Sequence, residues 1–95
     1  MFRGKDIEPL KESSYEIVLF NCHDVTLHSN RTGHDWIIVS DYGHESCYIL
    51  HRHSQRDSYH RQRGRYNNLE GALKYIERHE RWFVGKRQYY NRLAK

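Results

Sequence analysis

One stretch limits what this chain can become: Asn67 to Phe83, NNLEGALKYIERHERWF, the segment with the length and period of a helix. Leu69, Ala72, Leu73, Ile76 and Phe83 fall at i, i+3, i+4, i+7 and i+14, forming one apolar stripe. Asn67 is the expected N-cap, and Glu70 three residues later completes a capping box that satisfies two orphan N–H groups. Glu70 with Lys74, and Glu77 with Arg81, are acid-first i,i+4 pairs. Gly85 is the expected C-terminal stop. A helix with one apolar stripe must cover something, and the residues before it read as strands.

Tyr15 to Phe20, YEIVLF, is β-branched and aromatic. Alternation puts Tyr15, Ile17 and Leu19 on one face and Glu16, Val18 and Phe20 on the other. Val25 and Leu27 continue the pattern after a bulge or turn at 21–24. Ser29 to Gly33 has turn chemistry, with Asn30 and Gly33 suited to positive φ. Asp35 to Ser40 is apolar on both faces at Trp36–Val39 and is therefore a central strand. A hairpin loop at 41–45, with Gly43 as its left-handed residue, leads to a strand over Cys47–His53. Residues 1–13 read as a loosely held arm with one helical turn around Pro9–Glu12, and 14–95 as a single domain.

The expected fold is α+β. A three- to four-stranded antiparallel sheet is covered on one face by the helix at 67–83, with a short terminal helix over Lys86–Lys95. At 95 residues the chain supports one small core, and 14% aromatic residues make large buried areas available from few side chains.

Charge divides the chain. Residues 1–50 hold four basic and eight acidic residues, net −4, whereas 51–95 hold twelve basic and four acidic, net +8. The basic half is densest at Arg52, Arg56, Arg61, Arg63 and Arg65, with Tyr59 and His60 among them. Guanidinium groups bind phosphate bidentately and an aromatic ring stacks on a base, so this composition suits DNA or RNA. Without apolar periodicity, 54–65 reads as a long loop. The segment Gly64–Ile76, GRYNNLEGALKYI, resembles the strand-to-helix corner of integrase arm-type DNA-binding domains, which place one helix on a three-stranded antiparallel sheet. The resemblance covers thirteen of the 95 residues and implies a nucleic-acid ligand without assigning residue roles.

A non-enzymatic nucleic-acid-binding module is therefore the leading expectation. The alternative is a protein-binding module from a mobile element, either an inhibitor of anti-CRISPR-like kind or a dimerising regulator that meets an acidic protein surface. Trp82, Tyr89, Tyr90 and Arg87 are its interface candidates, being residue types enriched at hot spots. A third reading is a His-dependent ribonuclease using His51, His53, His60 and Arg52, but no triad order or phosphate-cradling glycine loop supports a catalytic assignment. Cys22, His23, His28, His44, Cys47, His51 and His53 offer zinc-type donors, with His44 and Cys47 flanking a turn. No CxxC or HxxxH pair occurs, so neither a metal nor a cofactor is expected. Two cysteines make no disulfide framework, and no apolar run reaches the ~20 residues of a membrane span, so a cytoplasmic location is expected.

Overall fold

The computed structural model describes residues 2–41 and 46–93, with side chains described as far as Arg87. Five antiparallel strands follow one another in a meander: β1 Glu16–Phe20, β2 Asp24–His28, β3 Asp35–Asp41, β4 Ser46–Arg52 and β5 His60–Arg61. A 3-10 turn at Gly4–Asp6 and a short helix α1, Ile7–Lys11, precede the sheet, and a 25-residue helix α2, Leu69–Leu93, follows it. The expected α+β layering is present, with β3 at the centre and one strand more than expected.

Period-2 alternation sorts the strands into two faces. Val25 and Leu27 of β2, Trp36 and Ile38 of β3, and Cys47 and Ile49 of β4 are buried on the side of α2. Leu69, Ala72 and Ile76 come down onto them from the helix, while Leu73 packs at the margin. Each fully buried aliphatic side chain contributes about 1.5–3 kcal/mol.

β1 departs from simple alternation. Ile17 pairs with Leu27 but Leu19 pairs with Thr26, so Val18 is an extra residue in a β-bulge. Ile17 and Phe20 therefore both pack against the core, and Leu19, expected beside Ile17, turns out to be 49% exposed. The turn after β1 is closed by Asn21, whose Oδ1 accepts from the backbone N–H of His23 and Asp24, both at 2.8 Å.

The segment 54–65 is not loop throughout. β5 pairs Arg61 with Leu50 and His60 with His51, and Cys47 and Tyr66 exchange two backbone hydrogen bonds of 2.8 Å. Gly64, with φ +91°, makes the left-handed step between them. The helix cap is Asn68 rather than Asn67: its Oδ1 accepts from the N–H of Gly71 at 2.8 Å.

At its other end α2 does not stop at Gly85. It runs as one helix to Leu93, and the separate terminal helix expected over 86–95 is its continuation. In the segment expected to be a loose arm, Leu10 is fully buried, Phe2 nearly so, and the N–H of Phe2 donates to the Cys22 carbonyl at 3.0 Å. Two apolar residues suffice to hold a segment the sequence presents as charged. Gly43 and His44 lie outside the described residues.

Candidate functional site

Chemistry is concentrated on both faces of the sheet. On the face away from α2, register aligns His28, Asp35 and Arg52 in one row, and Leu19, Thr26, Ile37, Leu50 and Arg61 in the next. In the first row Nδ1 of His28 donates to Oδ1 of Asp35 at 2.7 Å, and Nε of Arg52 donates to Oδ2 at 2.8 Å. Burial alone would raise the Asp35 pKa, but these two partners hold it below the ordinary carboxylate value. The Arg52 guanidinium lies 4.4 Å from the centre of the Tyr59 ring, and that of Arg61 lies 4.3 Å from the Tyr48 ring. A groove of about 330 Å³ opens here, with Glu16, Thr26, His28, Asp35, Arg52 and Tyr59 in its wall.

This face gathers only part of the basic set singled out in the sequence. Arg52, Tyr59 and Arg61 belong to it. Arg56 and Arg63 are exposed and have no carboxylate partner among the described residues. Arg65 is paired with Asp41. His60 pairs with His51 across β4 and β5, so it lies on the helix side of the sheet.

The protein-interface candidates also separate. Trp82 is 58% exposed, with Nζ of Lys86 4.9 Å from its ring. Arg87 is engaged within the fold: it donates to the Arg31 carbonyl at 2.9 Å and lies 5.5 Å from the Phe83 ring. The side chains of Tyr89 and Tyr90 lie outside the described residues.

Of the cysteine–histidine donors, the two cysteines join no metal-type cluster among the described residues. Cys22 is exposed, whereas the Cys47 thiol is buried and donates to the carbonyls of Tyr66 and Asn68 at 3.4 and 3.5 Å. Burial pushes its pKa up to about 11, so it is a thiol rather than a thiolate.

A different cluster occupies the layer between sheet and helix. The turn after β2 builds it: the N–H of Ser29 donates to the His34 carbonyl at 2.9 Å, and that of Gly33 to the Ser29 carbonyl at 2.8 Å. Gly33 supplies the left-handed residue with φ +80°, and His34 is delivered into the interior. There Nδ1 of His34 lies 2.9 Å from Nε2 of His51 and 3.7 Å from Oε2 of Glu80. The exposed His53 ring stacks on His34 at 4.6 Å with an interplanar angle of 3°. One ring nitrogen from each of His34, His51 and His53 lies within 4.8 Å of the other two.

Apolar and aromatic walls fix these rings. Trp36 stacks on His51 at 3.8 Å, Phe83 meets His34 edge-on at 4.4 Å, and His79 meets His51 at 5.0 Å. Glu80 is fully buried, with Oε2 accepting from the Thr32 hydroxyl at 2.7 Å and Oε1 lacking a hydrogen-bond donor among the described residues. Burial, together with the neighbouring imidazoles, pushes the His51 pKa down to about 3. His34 and His79 are also lowered, by burial first and against the pull of Glu80. At neutral pH these three imidazoles are uncharged and keep a lone pair each.

His34, His79 and Glu80 were not singled out in the sequence, although a signal was present. The apolar stripe of α2 skips from Ile76 to Phe83, and the positions in between that face the sheet are His79 and Glu80. Polar residues on a core stripe mark a buried polar site. No family model, curated protein or solved structure matches the chain. Among the described residues, no helix is long and apolar enough to cross a membrane.

Proposed function

We propose that the protein is a cytoplasmic, non-enzymatic module that binds single-stranded nucleic acid on the sheet face away from α2. The observation that carries this reading is the pair of guanidinium–tyrosine stacks, Arg52 on Tyr59 and Arg61 on Tyr48, beside a groove on that face. Stacked arginine and tyrosine offer flat surfaces to unstacked bases, with guanidinium nitrogens at hand for phosphate. The groove wall adds Glu16, whose carboxylate accepts hydrogen bonds from base amino groups and disfavours phosphate within the groove itself, while Asp35 is held by His28 and Arg52. Phosphates then fall to Arg61 on the same face, and to Arg56 and Arg63, exposed cations that no described carboxylate neutralises. A duplex keeps its bases stacked and cannot use the aromatic surfaces, so single strands are preferred.

The test is a titration of the intact protein against random single- and double-stranded DNA and RNA at low and high salt. Single strands should bind more tightly, and log affinity should fall linearly with log salt. Tyr48→Ala should weaken binding by roughly 1–3 kcal/mol, and Arg63→Ala should lower the salt slope by about one unit. Absence of binding at low salt would overturn the reading. It would promote the protein-partner alternative, which the exposed Trp82 with Lys86 beside it favours.

A further inference from the structure

The geometry points to a divalent transition-metal site of zinc type in the layer between sheet and α2. We propose His34, His51 and His53 as ligands and Glu80 as the buried counter-charge. This lies on the opposite face from the proposed nucleic-acid surface and does not depend on it.

The first argument is convergence. Two ligands at about 2.0–2.1 Å from a tetrahedral ion stand roughly 3.3 Å apart. Nδ1 of His34 and Nε2 of His51 are 2.9 Å apart, His34 Nδ1 and Glu80 Oε2 are 3.7 Å apart, and the three imidazole donors lie within 4.8 Å of one another. These separations are close enough for shifts of a few tenths of an ångström at His34 and His51, with a turn of the exposed His53, to close them on one ion.

The second argument is the accounting of protons and lone pairs. Facing His34 Nδ1 are a second imidazole nitrogen and a carboxylate oxygen. One shared proton satisfies the imidazole pair, and the Thr32 hydroxyl satisfies Glu80 Oε2. Glu80 Oε1 is then left without a donor, its nearest cation being Nη2 of Arg31 at 3.9 Å to that oxygen. An unpartnered charged oxygen is costly in a protein interior and calls for an explanation. A divalent ion beside Glu80 meets that negative charge and the imidazole lone pairs together.

The third argument is rigidity. Trp36 against His51 and Phe83 against His34 hold the rings before any ion arrives. Such packing limits ring rotation and supplies the hydrophobic shell that controls solvent access to a metal site. Three imidazoles would leave one ligand position of a four-coordinate ion to water, and His53 is the exposed member of the set.

The experiment uses full-length protein with any affinity tag removed and metal stripped by chelator. Zn²⁺ and Co²⁺ are titrated while Co²⁺ absorption in the visible and the thermal midpoint are followed, with Mg²⁺ as the control. One Co²⁺ per chain with intense tetrahedral bands, displaced by Zn²⁺, together with a midpoint raised by Zn²⁺ and not by Mg²⁺, is the expected result. Because His34 and His51 are buried, their variants are poor tests; the exposed His53→Gln keeps the fold and should weaken Zn²⁺ affinity at least tenfold. Unchanged spectra and melting curves on adding micromolar Zn²⁺ or Co²⁺ would overturn the assignment. So would undiminished binding by H53Q.

Discussion

The hydroxyl of Thr32 donates to Oε2 of Glu80 at 2.7 Å, joining the turn after β2 to the middle of α2 across 48 residues of sequence. It is the hydrogen bond that a fully buried carboxylate receives, and the same hydroxyl oxygen accepts from the N–H of His34 at 3.1 Å. Thr32→Val keeps the volume and removes both bonds. It should cost roughly 2–3 kcal/mol in urea unfolding, because the carboxylate is then buried with no donor. Thr32→Ser, which keeps the hydroxyl, should cost less than about 1 kcal/mol. Equal losses in the two variants would mean that packing, not the hydrogen bond, matters at this position.

Two neighbours on α2 should separate in a stability assay. Ile76 is fully buried beneath the sheet, whereas Leu73 is partly exposed at its margin. Ile76→Ala should cost about 2–4 kcal/mol through lost burial and a residual cavity, and Leu73→Ala about half that. Denaturation midpoints in the reverse order would place the helix in a different rotation on the sheet.

Acid should weaken a third contact. Burial alone would raise the Glu77 pKa, but the hydrogen bond from the Tyr15 hydroxyl and the charge of Arg31 hold it below the ordinary value. A carboxyl depressed in the folded chain takes up protons more readily when unfolded. Its stabilisation is therefore complete above the unfolded pKa of about 4.3 and is lost as pH falls through the lower folded value. Tyr15→Phe should cost about 1 kcal/mol at pH 7, allowing for the partial exposure of Glu77, and less at pH 3. A cost that does not change between the two pH values would rule the carboxylate out as the cause.

Much of the architecture could be read from the chain because it rests on short-range patterns. The run Trp36–Val39, apolar on both faces, placed β3 centrally, and the Leu69–Ile76 stripe put α2 on one face. Three features were hidden for identifiable reasons. The Val18 bulge reverses Leu19 and Phe20, and no composition rule marks which residue of an apolar run will be skipped. β5 is two residues long and lies among arginines, held by register with β4 rather than by its own β propensity. The Asn67–Asn68 pair offers two equivalent caps, and the choice of Asn68 follows from the tertiary bridge at Tyr66.

The functional residues were legible to different degrees. Arg52, Tyr59 and Arg61 were visible as composition, but the stack of Arg61 on Tyr48 needed the register of two strands. His34 and Glu80 are separated by 46 positions, and only the fold brings them together. What the sequence did contain was the break in the stripe at His79 and Glu80. Those two polar residues belong to the layer between sheet and helix, Glu80 fully buried and His79 against the His51 ring.

The bulged β1 and the two-residue β5 are also the two rims of the sheet. Neither offers a straight row of unpaired N–H and C=O groups long enough to template an incoming chain. Lateral polymerisation is thereby blocked at both ends, and a sheet built on such an apolar run as Trp36–Val39 is kept from fibril growth. An extended peptide finds no long regular edge to extend as a further strand. Any macromolecular partner has to be met through side chains, on a face of the sheet or along α2.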